Sequence, residues 1–547
     1  MRFFGKKFES LINNQFATLF LLFLIFFIWR LVLLKMDYFP FNSDEAIVGL
    51  MGKHIIDGER PLFFYGQSYM GSLDAYFVAL SFLIFGEKVI AIRIVQIVLF
   101  FLTIVNLYFY VIIAFQNRIA AFLSSILLIF APVNLILYTT VSLGGYVEAL
   151  YIGSSVLLIS ALLYRKADIK SLDKKDFLLL MFAGFLTGLG LWVNPISLTI
   201  GIPAIVVTLF RIFFNKVRPQ LFLRIILMLL IGFLIGSFFW WYTFILNKDI
   251  RFLTEIFGSA VSVDNGNYFQ ITLQHIATFF LFAPTVILGL RPPWDTVLIG
   301  KYFIPFVLIF WILILALFLS KRKTYTTQER ISFLILTGIM VLDFIGYVFT
   351  SFGNDPSGRY FLPYFIPLSI GAGFLLSKFP RKKFIYILFL FVISYNIYGV
   401  MSLAKVFPFL TTQFYPPAQV DHTYIGELVS FLENNDEYIG FSNYWVSYPL
   451  AFKTNEEIIA IPLLPYHLDL QYTGRDNRIP SYTEVLNGEN KFFYITTNNP
   501  KLDEVLVTNL SLKSIKFKYK EIGDYHIFYN LSLPIYPQDL GIYENYK

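Results

Sequence analysis

The chain has 547 residues, of which 57% are hydrophobic, 19% aromatic and only 14% charged. Soluble domains carry roughly 25% charged and about 45–50% apolar residues, so this much apolar surface cannot be hidden in water-soluble cores of ordinary size, and the composition specifies an integral membrane protein. The formal charge of +7 is not a nucleic-acid footprint, because Lys and Arg sit in short segments between apolar runs, and the absence of cysteine removes disulfides, thiol nucleophiles and Cys-bound metals.

A helix crossing the ~30 Å hydrocarbon layer needs about 20 mostly apolar residues. The first such run, 16–34, is too long for a signal-peptide core and lacks a small-residue cleavage site, so it reads as a membrane anchor. The runs that follow are unbroken rather than alternating, which excludes a transmembrane β-barrel. Two stretches, 71–85 and 276–290, are short and interrupted by Asp74 or Pro284. The positive-inside rule decides against their crossing. With both left out, one side collects Arg2, Lys6, Lys7, Arg118, the cluster at 165–175, Lys216, Arg218, Arg224, the cluster at 321–330, Lys378, Arg381, Lys382 and Lys383. With both included, the 165–175 and 216–224 clusters move outside.

The expected fold is therefore an α-helical polytopic membrane protein with about eleven transmembrane helices, at 16–34, 92–114, 119–139, 146–164, 177–193, 196–214, 225–246, 302–320, 331–350, 360–377 and 384–404. Its N-terminus is cytoplasmic. The outer face receives a first loop, 35–92, a lid-like loop, 247–301, shorter loops near Glu148 and Asp355, and the tail. After about residue 405 the composition turns polar. Residues 427–433 read as helix, 438–441, 457–461 and 491–497 as strands, and 514–529 as a hairpin. The division is a transmembrane domain, 1–404, and a small extracytoplasmic α/β domain, 405–547.

Candidate chemistry gathers in the outer segments. Asn42-Ser43-Asp44-Glu45 precedes the helical pattern Ile47, Leu50, Met51, Ile55; Ser43 is a good N-cap, and the two acids lie in the first turn, where the helix dipole favours them. An Asp-Glu pair there is in most proteins only a cap. Its setting beside the membrane, in a loop rich in Tyr, Phe and Gly that includes Tyr65, Gln67 and Tyr69, suits an aromatic wall around a sugar or lipid headgroup. Lys53 and His54 project from the same helix as phosphate contacts. Glu148 follows Gly144-Gly145-Tyr146, where an acid next to a Gly-Gly turn can approach a ligand through exposed backbone, or serve only as a snorkelling or capping carboxylate. Arg359-Tyr360, at the outer start of a span, fits bidentate capture of a lipid phosphate or a plain interfacial anchor.

These residues occur in an order that resembles polytopic GT-C glycosyltransferases of the protein O-mannosyltransferase and aminoarabinose-transferase group: Asp44-Glu45 opening a loop helix, Gly71 and Tyr76, Phe85-Gly86, Arg93, Gly144-Gly145-Tyr146 with Glu148-Ala149, and Arg359-Tyr360 with Pro363. The segment 444–452 also looks like the extracytoplasmic domain of bacterial members. The resemblance implies transfer of a sugar from a polyprenyl-phosphate donor, with inversion, to a protein, glycan or lipid hydroxyl. It also implies roles: Asp44 as general base with Glu45 supporting it, Arg359 on the donor phosphate, and Glu148 in the place of a second-loop acid that is Asp in many relatives. The chemistry of such a transfer agrees, since it needs a carboxylate to take the hydroxyl proton and positive charge for the departing phosphate. Phosphate is already a good leaving group, so no second acid is required, unlike glycoside hydrolysis.

No His or acidic ligand spacing specifies a metal, although a hard divalent cation held by Asp44, Glu45 and Glu148 is compatible with the residue types. Asp343, inside a span, and Arg30, near the end of another, read either as functional polar groups or as hydrogen-bonding and snorkelling residues. The segment 249–270, with Glu255, Asp264 and Asn265, reads as a mobile lid or an unstructured loop. The main alternative is a transporter or flippase of lipid-linked sugars, but such proteins show repeated halves and midplane charges, whereas here the acids gather at one face. A sensory or structural protein, with the tail binding its ligand, is the third reading.

Overall fold

The computed structural model describes residues 12, 14–166, 172–215, 217–248, 250–259, 266–378 and 383–542. Of the residues used above, Arg2, Lys6, Lys7, Lys170, Lys216, Arg381 and Lys382, and the lid residues Asp264 and Asn265, lie outside that set. The chain divides into two compact units, each assembled from separated segments: Met1–Tyr38, Ser68–Leu73 and Arg93–Lys405 in the first, and Phe39–Gln67, Asp74–Ile92 and Val406–Lys547 in the second.

Among the described residues, eleven helices are long and apolar enough to cross a bilayer: Gln15–Lys35, Val89–Phe115, Tyr146–Tyr164, Lys174–Val193, Ile196–Phe214, Pro219–Gly236, Tyr268–Ile287, Ile304–Thr324, Thr327–Val348, Arg359–Lys378 and Lys383–Leu403. Two expected spans and one expected loop differ. The run at 119–139 is two shorter helices, Arg118–Ile129 and Val133–Tyr138, separated at Pro132, which has no N–H to carry the helix through. The run at 225–246 breaks at Ser237 into Pro219–Gly236 and Phe238–Asn247, with the Ser237 hydroxyl bonded back to the Phe233 carbonyl at 2.7 Å.

The third difference is the lid-like loop, which is largely helical. The apolar stretch at 276–290 belongs to the 20-residue helix Tyr268–Ile287, and a short helix, Arg251–Ile256, precedes it. Counting apolar residues alone hid its first two turns, where Gln270, Gln274 and His275 lie. His275 is buried and satisfied, its ring nitrogens bonding the Val348 carbonyl at 3.0 Å and Asn354 at 3.1 Å. Pro284, near the end, is tolerated inside the helix.

Small residues join two of the long helices. Gly184 and Gly188 on Lys174–Val193 face Gly232 and Gly236 on Pro219–Gly236, and a Cβ on any of the four would strike the backbone opposite. This is the close approach that small-xxx-small pairs allow in hydrocarbon, where apolar side chains gain nothing by leaving lipid. Arg30 is interior as well, 1% exposed, with its guanidinium bonded to the Ile136 carbonyl at 3.0 Å, to Thr139 at 2.6 Å and to Thr140. It ties the helix Gln15–Lys35 to the segment ahead of Gly144-Gly145, so it neither snorkels nor reaches a lipid phosphate.

In the second unit, the described strands β1 (Ile439–Ser442), β2 (Ile459–Pro462), β3 (Phe493–Thr496), β4 (Lys518–Ile522) and β5 (Tyr525–Tyr529) form one sheet of order β2-β1-β3-β5-β4. β1 runs parallel to β2 and β3, and β5 antiparallel to β3 and β4. The expected strands and hairpin are present. The helix Ile425–Asn434 is also where expected, whereas two further helices, Tyr444–Lys453 and Pro500–Leu512, were not assigned. Pro500–Leu512 is one-sided, with Leu502, Leu506 and Leu510 buried at four-residue spacing. Tyr444–Lys453 is buried at every position from Tyr444 to Phe452, because it fills the space between the sheet and the helix Ser43–Ile56.

Gly188→Leu is expected to destabilise the first unit by about 1–3 kcal/mol or more through overpacking, whereas Gly201→Ala, where a Cβ meets only ordinary contacts with Val156, leaves stability unchanged. Thermal melting in detergent compares the two.

Candidate active site

The segment before Ser43–Ile56 ends in Asn42, whose side chain accepts from the Glu45 N–H at 3.2 Å and donates to Thr412 at 2.7 Å. The Ser43 hydroxyl donates to the Tyr444 carbonyl, and the Tyr444 phenol donates to Asp44 Oδ1 at 2.6 Å. Asp44 is the one position from 41 to 50 that is not buried, and among the described residues its second carboxylate oxygen has no hydrogen-bond partner. A carboxylate with one oxygen anchored and the other open is suited to accept a proton. Glu45 is fully buried. Adjacent residues of a helix do not face each other, so Glu45 is turned into the core while Asp44 is left partly open.

Arg478 and Asp476 lie close enough to Asp44 to feel its charge, and Tyr448 packs against Tyr444. The Arg478 guanidinium lies 5.8 Å from the Tyr444 ring centre, donates to the Gly66 carbonyl at 3.1 Å and, with the Gln67 amide oriented to suit it, to Gln67 at 3.2 Å. The Tyr448 phenol donates to the Asp476 carbonyl at 2.8 Å. Burial pushes the Asp476 carboxyl up to about 7; Arg478 opposes the rise and the charge of Asp44 adds to it. Burial, followed by the Asp44 charge, holds the Tyr444 phenol well above its ordinary value, so it remains a donor. Tyr444, Asp476 and Arg478 were not candidates from sequence; the polar run Gly474-Arg475-Asp476-Asn477-Arg478 was the available signal.

Lys53, His54 and Tyr65 are engaged within the second unit. The Lys53 ammonium donates to the Phe452 carbonyl at 3.1 Å and Asn455 at 2.6 Å and pairs with Glu87 at 3.5 Å, which uses all three of its protons. His54 Nδ1 meets the Tyr65 hydroxyl at 3.0 Å and Nε2 meets Glu456 at 3.0 Å, while Tyr65 donates to Glu59 and Tyr482 to Glu456, both at 2.6 Å. Burial opposes the charge on His54, yet the hydrogen bond and charge of Glu456, with Glu59 and Asp57 beyond, hold its pKa above 6.5. Glu456 is held below 4.5: burial works against this, and the hydrogen bonds from His54 and Tyr482 outweigh it.

The first unit carries a separate aromatic and charged cluster. The ring of Tyr146 is 6.4 Å from those of Tyr138 and Tyr360, Tyr360 is 4.6 Å from Phe352, and Phe352 is 6.0 Å from Tyr69. The expected residues Tyr69, Tyr146 and Tyr360 thus share one wall, completed by Tyr138 and Phe352. Consecutive left-handed residues, Gly144 and Gly145, start the helix Tyr146–Tyr164, and a Cβ on Gly145 would lie 3.0 Å from the Val193 carbonyl. Glu148, in the first turn, is 1% exposed.

Arg359 stands beside this wall, its guanidinium 5.2 Å from the Tyr360 ring centre and 5.8 Å from that of Tyr146. Its Nε donates to Asp355 Oδ2 at 2.7 Å, its Nη2 donates to the same oxygen, and Asp355 Oδ1 accepts from the Ser357 N–H at 2.7 Å. Among the described residues Nη1 has no acceptor. A cavity of about 380 Å³, mostly apolar, is bounded by Tyr69, Tyr360 and Phe352 and by Asp343, Thr199 and Ile202. Asp343 Oδ2 is buried there without a hydrogen-bond partner. Glu255 accepts from the Ser68 N–H at 2.6 Å, which fixes the residue before Tyr69.

Among the described residues no group of three or more His, Cys, Asp or Glu could hold a metal ion. Glu45 and Glu148 are both buried, each in the core of its own unit.

No protein-family model matches the sequence, and no curated protein does either. Comparison with solved structures is decisive for the fold: ArnT from Cupriavidus metallidurans bound to undecaprenyl phosphate matches with a TM-score of 0.61 over 95% of this chain and 99% of that one, at 13% identity. The chain has the fold of ArnT. The apo form of ArnT matches with a TM-score of 0.59 at 12% identity, over 93% of this chain and 97% of that one. An oligosaccharyltransferase from Archaeoglobus fulgidus is also similar, with a TM-score of 0.44 at 13% identity over 92% of this chain and 73% of that one. The polytopic helical architecture with a small α/β domain expected from the sequence is thus the architecture observed, and with eleven candidate spans among its described residues the ArnT-like chain is an integral multi-pass membrane protein.

The His54–Glu456 contact makes a pH-dependent contribution to stability. The His54 part is fully present below its unfolded value of 6.5 and is lost as pH rises through the higher folded value; the Glu456 part is present above 4.5 and is lost as pH falls through the lower folded value. The melting-temperature difference between wild type and His54→Gln is therefore expected to be widest between these two values and to shrink above neutrality. A difference independent of pH would contradict the assignment.

Proposed function

We propose that this chain is a membrane glycosyltransferase that moves a sugar from a polyprenyl-phosphate donor to an acceptor hydroxyl on the extracytoplasmic side, with inversion. The reading rests chiefly on the ArnT-like fold over 95% of the chain, together with the crystallisation of that relative with undecaprenyl phosphate. The proposed orientation has the N-terminus cytoplasmic and the 405–547 domain outside, as the distribution of Lys and Arg favours.

In the proposed reaction the open oxygen of Asp44 takes the proton of the acceptor hydroxyl as its oxygen attacks the anomeric carbon. The bond from that carbon to the phosphate oxygen breaks, the electron pair leaves with the polyprenyl phosphate, and the configuration inverts. Arg359 is assigned to the donor phosphate. Asp355 and the two Tyr rings hold its guanidinium in place, and its unengaged Nη1 is available to an anion. The apolar cavity beside Tyr360 suits an isoprenoid chain. Glu45 and Glu148 are assigned to shaping their units rather than to proton transfer, because both are buried.

The test supplies undecaprenyl-phosphate-linked hexoses and pentoses in detergent and measures released undecaprenyl phosphate. Asp44→Asn is expected to lower turnover about 10²–10⁴-fold, the usual contribution of a general base. Arg359→Lys, which keeps the charge and loses the fork, is expected to raise the donor KM about tenfold. No release from wild type with any donor, or equal release from Asp44→Asn, would overturn the reading.

A further inference from the structure

The proposed base is held by a residue of the tail. The Tyr444 phenol, 4% exposed, donates to Asp44 Oδ1 at 2.6 Å, while the Ser43 hydroxyl donates in the opposite direction to the Tyr444 carbonyl. Tyr444 is in turn fixed from behind. Asn443 caps its helix by accepting from the Trp445 N–H at 2.9 Å and donates to Thr497, just past β3, at 2.8 Å. The rings of Trp445 and Tyr448 meet that of Tyr444 edge-on at 4.7 and 5.4 Å. The phenol oxygen therefore has little freedom, and neither does the carboxylate oxygen it holds.

We infer that Tyr444 is a positioning residue for the proposed sugar transfer: its hydroxyl fixes the Asp44 carboxylate so that the second oxygen faces the acceptor. The inference rests on the reading of Asp44 as base. A donor to a carboxylate favours its charged form, so loss of the Tyr444 hydroxyl is read in the pH profile. The other charged or titratable groups around Asp44 are Arg478, Asp476 and Tyr466, of which Arg478 carries the opposite charge. The α/β domain is then part of the reaction machinery and not only an acceptor-binding appendage.

The test is the pH profile of kcat/KM, followed as undecaprenyl phosphate release from the linked sugar that gives turnover. Tyr444→Phe is expected to lower kcat about 10- to 100-fold, with donor KM within about threefold, and to move the acidic limb upward by about one pH unit. Replacing Tyr444 with 3-fluorotyrosine, a stronger donor of the same shape, is expected to restore turnover and move the limb downward. Trp445→Phe, a change in the neighbouring ring alone, is expected to leave the limb in place. A loss of activity in Tyr444→Phe with an unmoved limb would overturn the inference, and if that variant does not fold, an unmoved limb in the fluorotyrosine protein would do the same. Asp44→Asn separates the two levels: if it stays active, the base reading falls and this inference with it, whereas an inactive Asp44→Asn beside unmoved limbs overturns this inference alone. Absence of turnover with every donor overturns both.

Discussion

Hydrocarbon offers no hydrogen bonds, and this constraint governs the architecture of the first unit. Every N–H and carbonyl in its long helices must be satisfied within the protein, so departures from regular helix occur where a partner is available, as at Ser237 and at Phe130, whose carbonyl accepts from Asn396. The same constraint explains the interior polar groups. Arg30 spends its charge on a carbonyl and two threonines, and His275 bridges the Val348 carbonyl and Asn354. Helices that gain nothing from burying apolar side chains away from lipid associate through backbone proximity instead, which is what the four facing glycines provide.

Against that background, the exposed chemistry is sparse and organised. In the first unit, one Asp–Arg pair is set among tyrosines, two of which, Tyr69 and Tyr360, also line an apolar cavity. Asp355 orients Arg359 and leaves one nitrogen uncommitted, so the guanidinium is held without being used up. In the second unit, two helix N-termini are tied reciprocally through Ser43, Asp44 and Tyr444, and the only residue of the first helix turns left partly open is an acid. Each cluster is rigid for the same reason: a polar group that is already bonded on one side can present only its other side.

Much of this was legible in sequence. Run length and charge bias marked nearly all the long helices, alternation marked the strands, and the helix start at Asn42-Ser43-Asp44 was found to within one residue, the cap being Asn42 rather than the expected Ser43, whose hydroxyl turns instead to the Tyr444 carbonyl. Tyr69, Tyr146, Tyr360 and Arg359 were recognised individually, and the structure brings them together. Lys53 and His54 show where such reading stops. Both are chemically apt for phosphate, but whether a Lys or His is free depends on what packs against it, and here Phe452, Asn455 and Glu456 take up their donors.

The sequence by itself determined that the chain lives in a bilayer, where most of its helices and all of its strands lie, and which acid opens the first loop helix, because hydropathy, alternation and capping are properties of neighbouring residues. Only the tertiary structure decided that Tyr444 holds Asp44, that Asp355 holds Arg359 against the tyrosine wall, and that Tyr444–Lys453 is a helix at all. The last is buried all round and so carries no periodic signal; the Tyr444–Asp44 contact joins residues 400 positions apart, and no local pattern encodes a contact whose two halves meet only after the chain has folded.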